Sequence, residues 1–267
     1  MIEIFNDIRK LYQFKPPCSD LAKDIEFYSE TSLTATAHYI KSENFTVKLF
    51  PSYTPTIWIN LGSPYWLKNG STTQRIGQHA DILVLRNQVV ERNNLPSDNI
   101  FTVKFHPGGF ESVFGFSQHK IGDQVVPLSD LIPIPFLNRL KSSGNFADRV
   151  NLLQDFFLEK QKGRKELQHI KVIRQAIHAF DTLKPGESNS FIASNLCLTD
   201  KTFYRHFTEA VGANPKTYMM VNRARKALTS YILNPKAFSA YQHGYYDPGH
   251  FYKDILKFTG QKLSAFK

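Results

Sequence analysis

TDKTFYRHFTEAVG, residues Thr199–Gly212, reads as one helix with both of its ends written in. The Thr199 hydroxyl can accept from an amide of the first turn, and Asp200 suits the positive end of the helix dipole. Gly212 can take the left-handed conformation that closes the last turn. Phe203, Phe207 and Val211 recur at steps of four and form a stripe that must be buried, while Lys201, Tyr204, Arg205 and Glu209 point elsewhere. Upstream, SNSFIASNL predicts a short helix capped by Ser188 or Asn189, with Phe191, Ile192 and Leu196 on its apolar side. Cys197 and Leu198 leave room only for a tight turn. Helix, tight turn, helix with a cationic and aromatic outer face is the geometry that lays a second helix into a DNA major groove.

The pattern recurs toward the C-terminus. Gly244-Tyr245-Tyr246-Asp247 predicts a turn, with Asp247 capping a helix that runs to Gly260 and Pro248 at its first position, where a missing N–H costs nothing. Phe251, Ile255 and Phe258 make its buried stripe; His250, Tyr252, Lys253 and Lys257 are left facing out. Between the units, Asn214-Pro215 begins a connecting helix carrying Tyr218, Val221, Arg225, Leu228 and Ile232. A rod of about 16 residues spans roughly 24 Å at the helical rise. It could hold two reading helices about one DNA turn, roughly 34 Å, apart.

The run Ala193–Phe207 with Gly212, Pro215, Tyr218, Arg223 and Ala227, followed by GYYDPGHFYKDILKFTG, resembles the DNA-binding region of the AraC/XylS family of bacterial transcription regulators. The resemblance covers about 100 residues, two helix-turn-helix units and their connecting helix in order and spacing. It implies base-reading places at Lys201, Tyr204 and Arg205 in the first unit and at Pro248, Gly249, Tyr252 and Lys253 in the second. Thr199, His250 and Arg223 complete the set expected at DNA, and RNA polymerase is an expected partner on the same ground. The chain departs from the family at Ser239, usually a buried Ile, and at Leu263, usually Pro. Pro248 and Gly249 replace polar side chains, which moves the second unit's expected part from reading bases toward gripping phosphate.

Charge agrees with a polyanionic partner. Of a net +10 over 267 residues, +8 falls in residues 165–267, which hold 15 Lys and Arg against 7 Asp and Glu; the first 164 hold 18 against 16. There is no run of eighteen apolar residues and no charged-then-apolar leader, so neither a membrane span nor export is expected. Two cysteines, Cys18 and Cys197, are too few for a disulfide framework or a four-cysteine zinc site and suit a reducing cytoplasm. They also exclude the methyl-accepting cysteine box of repair-type relatives.

The first 164 residues read as mostly β. FTVKLF, TIWINLG, DILVLRN and NIFTVKFH are β-branched and aromatic runs separated by Pro, Gly, Asn and Ser, which predicts an antiparallel barrel or sandwich. PSYTPTIWINLG and FTVKFHPGGFESVFGF resemble the cupin-like N-terminal sensor domain of one branch of the same regulators, over roughly Asp20 to Ile132. The turn Phe105–Phe110, FHPGGF, carries most of this likeness and reads either as a structural corner or as the lip of a ligand pocket. His38, His79, His106 and His119 are scattered, with no His-x-His and downstream Glu, so no metal site is expected. Phosphate-loop, nucleophile-elbow and dinucleotide fingerprints are missing. After Val126 the period becomes helical, in LSDLI, IPFLNRL and FADRVNLLQDFFLEK. Val150, Leu153, Phe157 and Leu158 of the last can pack against the β layer or form a homodimer seam. QKGRKE, with Gly163 as hinge, leads to a helix beginning near Glu166.

The expected architecture is therefore two-domain α+β. A cupin-like barrel occupies residues 1–140, a helical connector 141–164, and an all-α domain with two helix-turn-helix units 165–267. The expected function is sequence-specific binding of double-stranded DNA to regulate transcription, answering a small-molecule effector in the N-terminal domain, with no enzyme activity and no cofactor. A pocket for the effector could be lined by Phe50, Trp58, Trp66 or Phe105. Two other classes stay open: an architectural or non-specific DNA-binding protein, and a cupin-type enzyme with an accessory basic domain.

Overall fold

In the computed structural model, which describes residues 10–165, 167–182 and 189–266, the β layer consists of ten strands in two antiparallel sheets. They are β1 Tyr12–Lys15, β2 Ile25–Thr31, β3 Phe45–Leu49, β4 Pro55–Asn60, β5 Tyr65–Asn69, β6 Thr72–Ile76, β7 Ile82–Leu85, β8 Val90–Asn94, β9 Ile100–Phe105 and β10 Val125–Pro127. One sheet runs β1-β2-β9-β4-β7-β10 and the other β3-β8-β5-β6. The expected barrel is thus a sandwich, with no ladder joining the two sheets among the described residues.

Alternation along the central strands explains the layering. Ile57 and Ile59 of β4, Leu83 and Leu85 of β7, and Phe101, Val103 and Phe105 of β9 point to one face; Trp58, Ile82, Val84 and Ile100 point to the other. A strand buried on both faces has no side to show water, and β4 and β9 are buried at every position, the polar Thr56, Asn60, Thr102 and Lys104 included. The second face meets Val47, Tyr65, Leu67 and Val90 of the smaller sheet. The first is covered by α2 Gly109–Phe114, α3 Ile134–Ser142 and α4 Phe146–Gln161, while α1 Leu33–Tyr39 lies between β2 and β3. Val150, Leu153 and Phe157 are all buried here, so the apolar face of α4 packs on the sheet. A bidentate pair fixes the same helix: Arg149 donates from Nε and Nη2 to the two Glu30 oxygens at 2.7 Å each. Removing one partner of such a buried pair costs about 3–5 kcal/mol.

Gly108 and Gly109 form the corner between β9 and α2. Gly108 has φ +77°, and a side chain on Gly109 would lie 2.0 Å from the Asp24 carbonyl oxygen, so the FHPGGF turn is a structural corner.

The helical part comprises α5 Gln168–Thr182, α6 Asn189–Asn195, α7 Asp200–Val211, α8 Pro215–Leu233 and α9 Pro248–Thr259. Glu166 and Ser188, the expected start of α5 and one expected cap of α6, lie outside the described residues. Its core contains Ile173, Phe180, Ile192, Phe203, Phe207, Val221, Leu228, Phe251 and Ile255, and it also takes in Phe50 and Tyr53 from the β3–β4 connection. Among the described residues no helix is long and apolar enough to cross a membrane.

Candidate nucleic-acid interface

Both α7 and α9 are fixed at each end by the residues that predict them. Thr199 Oγ1 accepts from Thr202 N at 3.2 Å, and Gly212 closes α7 at φ +77°. Asp247 Oδ1 accepts from His250 N at 3.0 Å, Pro248 opens α9, and Gly260 ends it at φ +66°. The connecting helix is capped by Asn214, whose Oδ1 accepts from Thr217 N at 2.9 Å. At 19 residues, α8 is slightly longer than the expected rod.

In the first unit, Cys197 takes φ +56°, a left-handed conformation uncommon outside glycine, and so makes the sharp turn between α6 and α7. Ser190 Oγ donates to Asp200 Oδ2 at 2.8 Å and ties the two helices together. Phe203, Phe207 and Val211 are buried, while Lys201, Tyr204 and Arg205 are exposed with Thr199 at their head. Arg205 Nη2 lies 3.3 Å from His206 Nε2. Burial first, then the Arg205 charge, lowers the His206 pKa, which favours the neutral imidazole beside the guanidinium. In the second unit Phe251, Ile255 and Phe258 are buried and Tyr252, Lys253 and Lys257 exposed. Its leading element is a four-residue 3-10 turn, Ala240–His243, instead of a full helix. Among the described residues, none of Lys201, Arg205, Lys253 and Lys257 has a carboxylate within ion-pair distance, so four cationic groups face solvent uncompensated.

Two residues of the expected set are engaged inside the protein. Arg223 donates to the Gly244 carbonyl at 3.3 Å, pairs with Asp254 at 3.5 Å and lies 4.2 Å from the Tyr245 ring centre, joining α8 to the second unit. His250 Nδ1 closes on Asp247 within the same helix start. Pro248 is exposed and Gly249 half-buried at the head of α9, and neither supplies a polar side chain.

The β part holds α7 from behind. Ser117 Oγ donates to the Glu209 carbonyl at 2.6 Å, and Gln118 Nε2 donates to the Val211 and Tyr53 carbonyls at 2.6 and 3.0 Å. Gln118 Oε1 accepts from Gly108 N at 3.1 Å. These bonds satisfy carbonyls of the last turn of α7 that the helix itself leaves open. Tyr53 turns toward the helical core with φ +51°. Asp24 pairs with Arg174 of α5, and Glu111 with His169 at 3.1 Å. Nothing local in the sequence marks Gln118 or Tyr53, because Gln118 bonds to main-chain groups and Tyr53 packs on a helical core that only the fold brings near.

The four aromatics expected to line an effector pocket do not converge. Phe50 sits in the helical core, Trp58 lies between the sheets, Phe105 packs with Phe110, Phe114 and Phe157, and Trp66 is 53% exposed. Among the described residues no three His, Cys, Asp or Glu side chains are grouped to hold a metal ion. Cys18 and Cys197 are free thiols.

No model of a known protein family matches the chain. No curated protein matches it either. Solved structures do. ToxT from Vibrio cholerae aligns over 96% of this chain and 98% of its own, with 11% identity and a TM-score of 0.49. ToxT bound to (E)-4-(8-methylnaphthalen-1-yl)but-3-enoic acid aligns over 97% and 100%, with 13% identity and a TM-score of 0.47. The AraC-like transcriptional activator CuxR aligns over 84% and 88%, with 13% identity and a TM-score of 0.30.

Proposed function

We propose that the chain is a sequence-specific DNA-binding transcription regulator of the AraC/XylS type, with a DNA-binding domain at 165–267, a helical connector at 141–164 and a sensor domain for a small molecule at 1–140. The observation that carries this reading is the division of α7 and α9 into a buried aromatic stripe and an exposed face of uncompensated Lys, Arg and Tyr side chains. Affinity comes from counterion release as Lys and Arg meet phosphates, and choice of site from side chains that reach base edges. Arg205 reads a base, with Lys201 and Tyr204 on the same face. Tyr252 and Lys253 grip the neighbouring groove, where Pro248 and Gly249 leave little to read. Arg223, held on Asp254 and Tyr245, sets the angle between α8 and the second unit and need not touch DNA. A cytoplasmic setting, RNA polymerase as partner and pairing of two copies belong to the same reading.

Selection of bound duplexes from random DNA with the purified chain tests it. The expected result is an enriched site long enough for two major-groove contacts one turn apart. Binding that weakens with salt yet enriches no sequence would replace it with the non-specific alternative, and indifference to DNA at low salt would remove both.

A further inference from the structure

Arg205 is held by its own neighbour. Side chains one residue apart on a helix do not face each other, yet the Arg205 guanidinium bends back along α7 until Nη2 lies 3.3 Å from His206 Nε2. Among the described residues Arg205 has no other hydrogen-bond or ion-pair partner, so this contact alone fixes its direction. A guanidinium has N–H donors and no acceptor, so the imidazole nitrogen must accept. Nε2 is then bare, and the one proton of the neutral ring sits on Nδ1, a buried atom that bonds to no described residue. The only place left for a second proton is Nε2 itself. Protonation of His206 and its contact with Arg205 therefore exclude each other.

The surroundings decide which state prevails. His206 is half-buried, its ring centre 6.1 Å from that of His169 on α5, and His169 Nε2 lies 3.1 Å from Glu111 Oε1 on α2. Arg205 and Glu209 stand on the same helix as His206. The other elements packed on α7 are α6, which has no ionisable side chain, the Gln118–Lys120 turn with His119 and Lys120, and α8 with Lys216, Arg223, Arg225 and Lys226. Glu209 and Glu111 apart, these groups are cationic or become so on protonation. Burial, then Arg205 and His169, lower the His206 pKa, and Glu209 opposes them. At neutral pH the bare Nε2 holds the guanidinium. As pH falls below the usual histidine value of about 6.5, a proton on Nε2 sets two cations side by side and drives Arg205 away.

We propose that His206 is the positioning residue for Arg205: its Nε2 fixes the guanidinium on the exposed face of α7, and a proton there releases it, so that choice of base is lost in acid while grip on the duplex is kept. An arginine already oriented gives up less side-chain freedom on meeting a base edge, and the added charge of a protonated His206 serves any phosphate alike. This positioning deepens the DNA-reading function proposed above and rests on it for its effect at a duplex.

The full chain is titrated between pH 8 and pH 5.5 at constant salt, with its selected duplex and with the same duplex changed at the position whose preference Arg205→Ala removes. Helical circular dichroism at each pH checks that the chain is folded. The ratio of the two dissociation constants is expected to be about tenfold or more at pH 8. It should drop about threefold to tenfold by pH 5.5, with affinity for the changed duplex holding or rising. His206→Gln, whose amide does not titrate, should show one ratio at every pH. Without DNA, nitrogen-15 spectra of the histidine rings, with His206 identified by its loss in His206→Gln, should show Nδ1 protonated and Nε2 bare at pH 8. The Arg205 Nε signal should move with the same midpoint as the His206 ring. A ratio constant across pH, a parent-like profile in His206→Gln, an Nε2-protonated neutral ring, or an Arg205 signal that ignores the ring each overturns the proposal. A chain that selects no duplex at pH 8 fails the function proposed above instead, and the ring spectra still decide whether His206 holds Arg205.

Discussion

Arg205 and Lys253 carry the same charge but, under the proposed function, would meet a duplex in different ways. A guanidinium can meet guanine O6 and N7 together, so Arg205 on the exposed face of α7 can prefer one base pair, whereas an ammonium on α9 beside Gly249 meets phosphate as a point charge. Arg205→Ala is expected to lose about 1–3 kcal/mol of discrimination at a single position. Lys253→Ala is expected to weaken every duplex alike and to lower the salt slope by about one. Titrations over salt on matched and mismatched duplexes read both, and an equal loss on every duplex for Arg205→Ala would take base reading away from it. At His106 the question is protonation. Burial lowers its pKa, the Lys104 and Arg174 charges act the same way, and Glu26 opposes them. A histidine whose folded pKa lies below its unfolded value keeps its full contribution above the unfolded pKa of about 6.5 and loses it as pH falls from there toward the folded value. Melting temperature should therefore fall as pH is lowered through 6.5, and His106→Gln should flatten that part of the profile. A profile unchanged in His106→Gln would assign the slope to other groups.

At the scale of elements, the two glycines that close α7 and α9 offer a controlled comparison. Both are left-handed, Gly212 at φ +77° and Gly260 at φ +66°, so alanine at either should cost about 1 kcal/mol from the backbone alone. A side chain at Gly260 meets open space, but at Gly212 it would come within 2.8 Å of Leu85 Cδ2, a residue of the β part. Gly212→Ala is thus expected to cost measurably more than Gly260→Ala in chemical unfolding; equal costs would mean that α7 yields freely against β7. Helix ends of this kind were legible in the sequence because caps, stripe and terminal glycine act within a dozen residues. Strands β4, β7 and β9 were legible for a similar reason, being buried on both faces, and β3 from the alternation of its inward Phe45, Val47 and Leu49. Strands β5, β6 and β8 were not, since Trp66 faces outward on β5 and inward Arg92, Asn94 and Asn69 break the alternation. Exposure of Lys201, Tyr204 and Arg205 could be read from the helical period, whereas the capture of Arg223 by Asp254 could not, because it depends on how α8 and α9 cross.

On the scale of the molecule, the β and helical parts share a core. The Phe50 ring is fully buried, 6.1 Å from that of Phe258 on α9, although its backbone belongs to the β3–β4 connection, where the Phe50 carbonyl accepts from Arg86. The ring of Tyr53, three residues on, lies 6.5 Å from that of Tyr218 of α8, tilted at 55°. Neither part closes its own core without the other, so unfolding should be one event. Both tryptophans, Trp58 and Trp66, lie in the β part, and most helix in the other, so fluorescence and helical circular dichroism report the two parts separately. Their denaturant curves should coincide in the parent chain. Phe50→Ala removes a ring from the shared core and is expected to cost about 3–5 kcal/mol, moving both curves together. It should also weaken DNA binding, although Phe50 contacts no nucleotide, because the backs of α8 and α9 lose their support. If the helical signal moved while the tryptophan signal stayed in place, the parts would be independent bodies. The β layer could then influence the reading helices only through the Ser117, Gln118, Asp24 and Glu111 contacts.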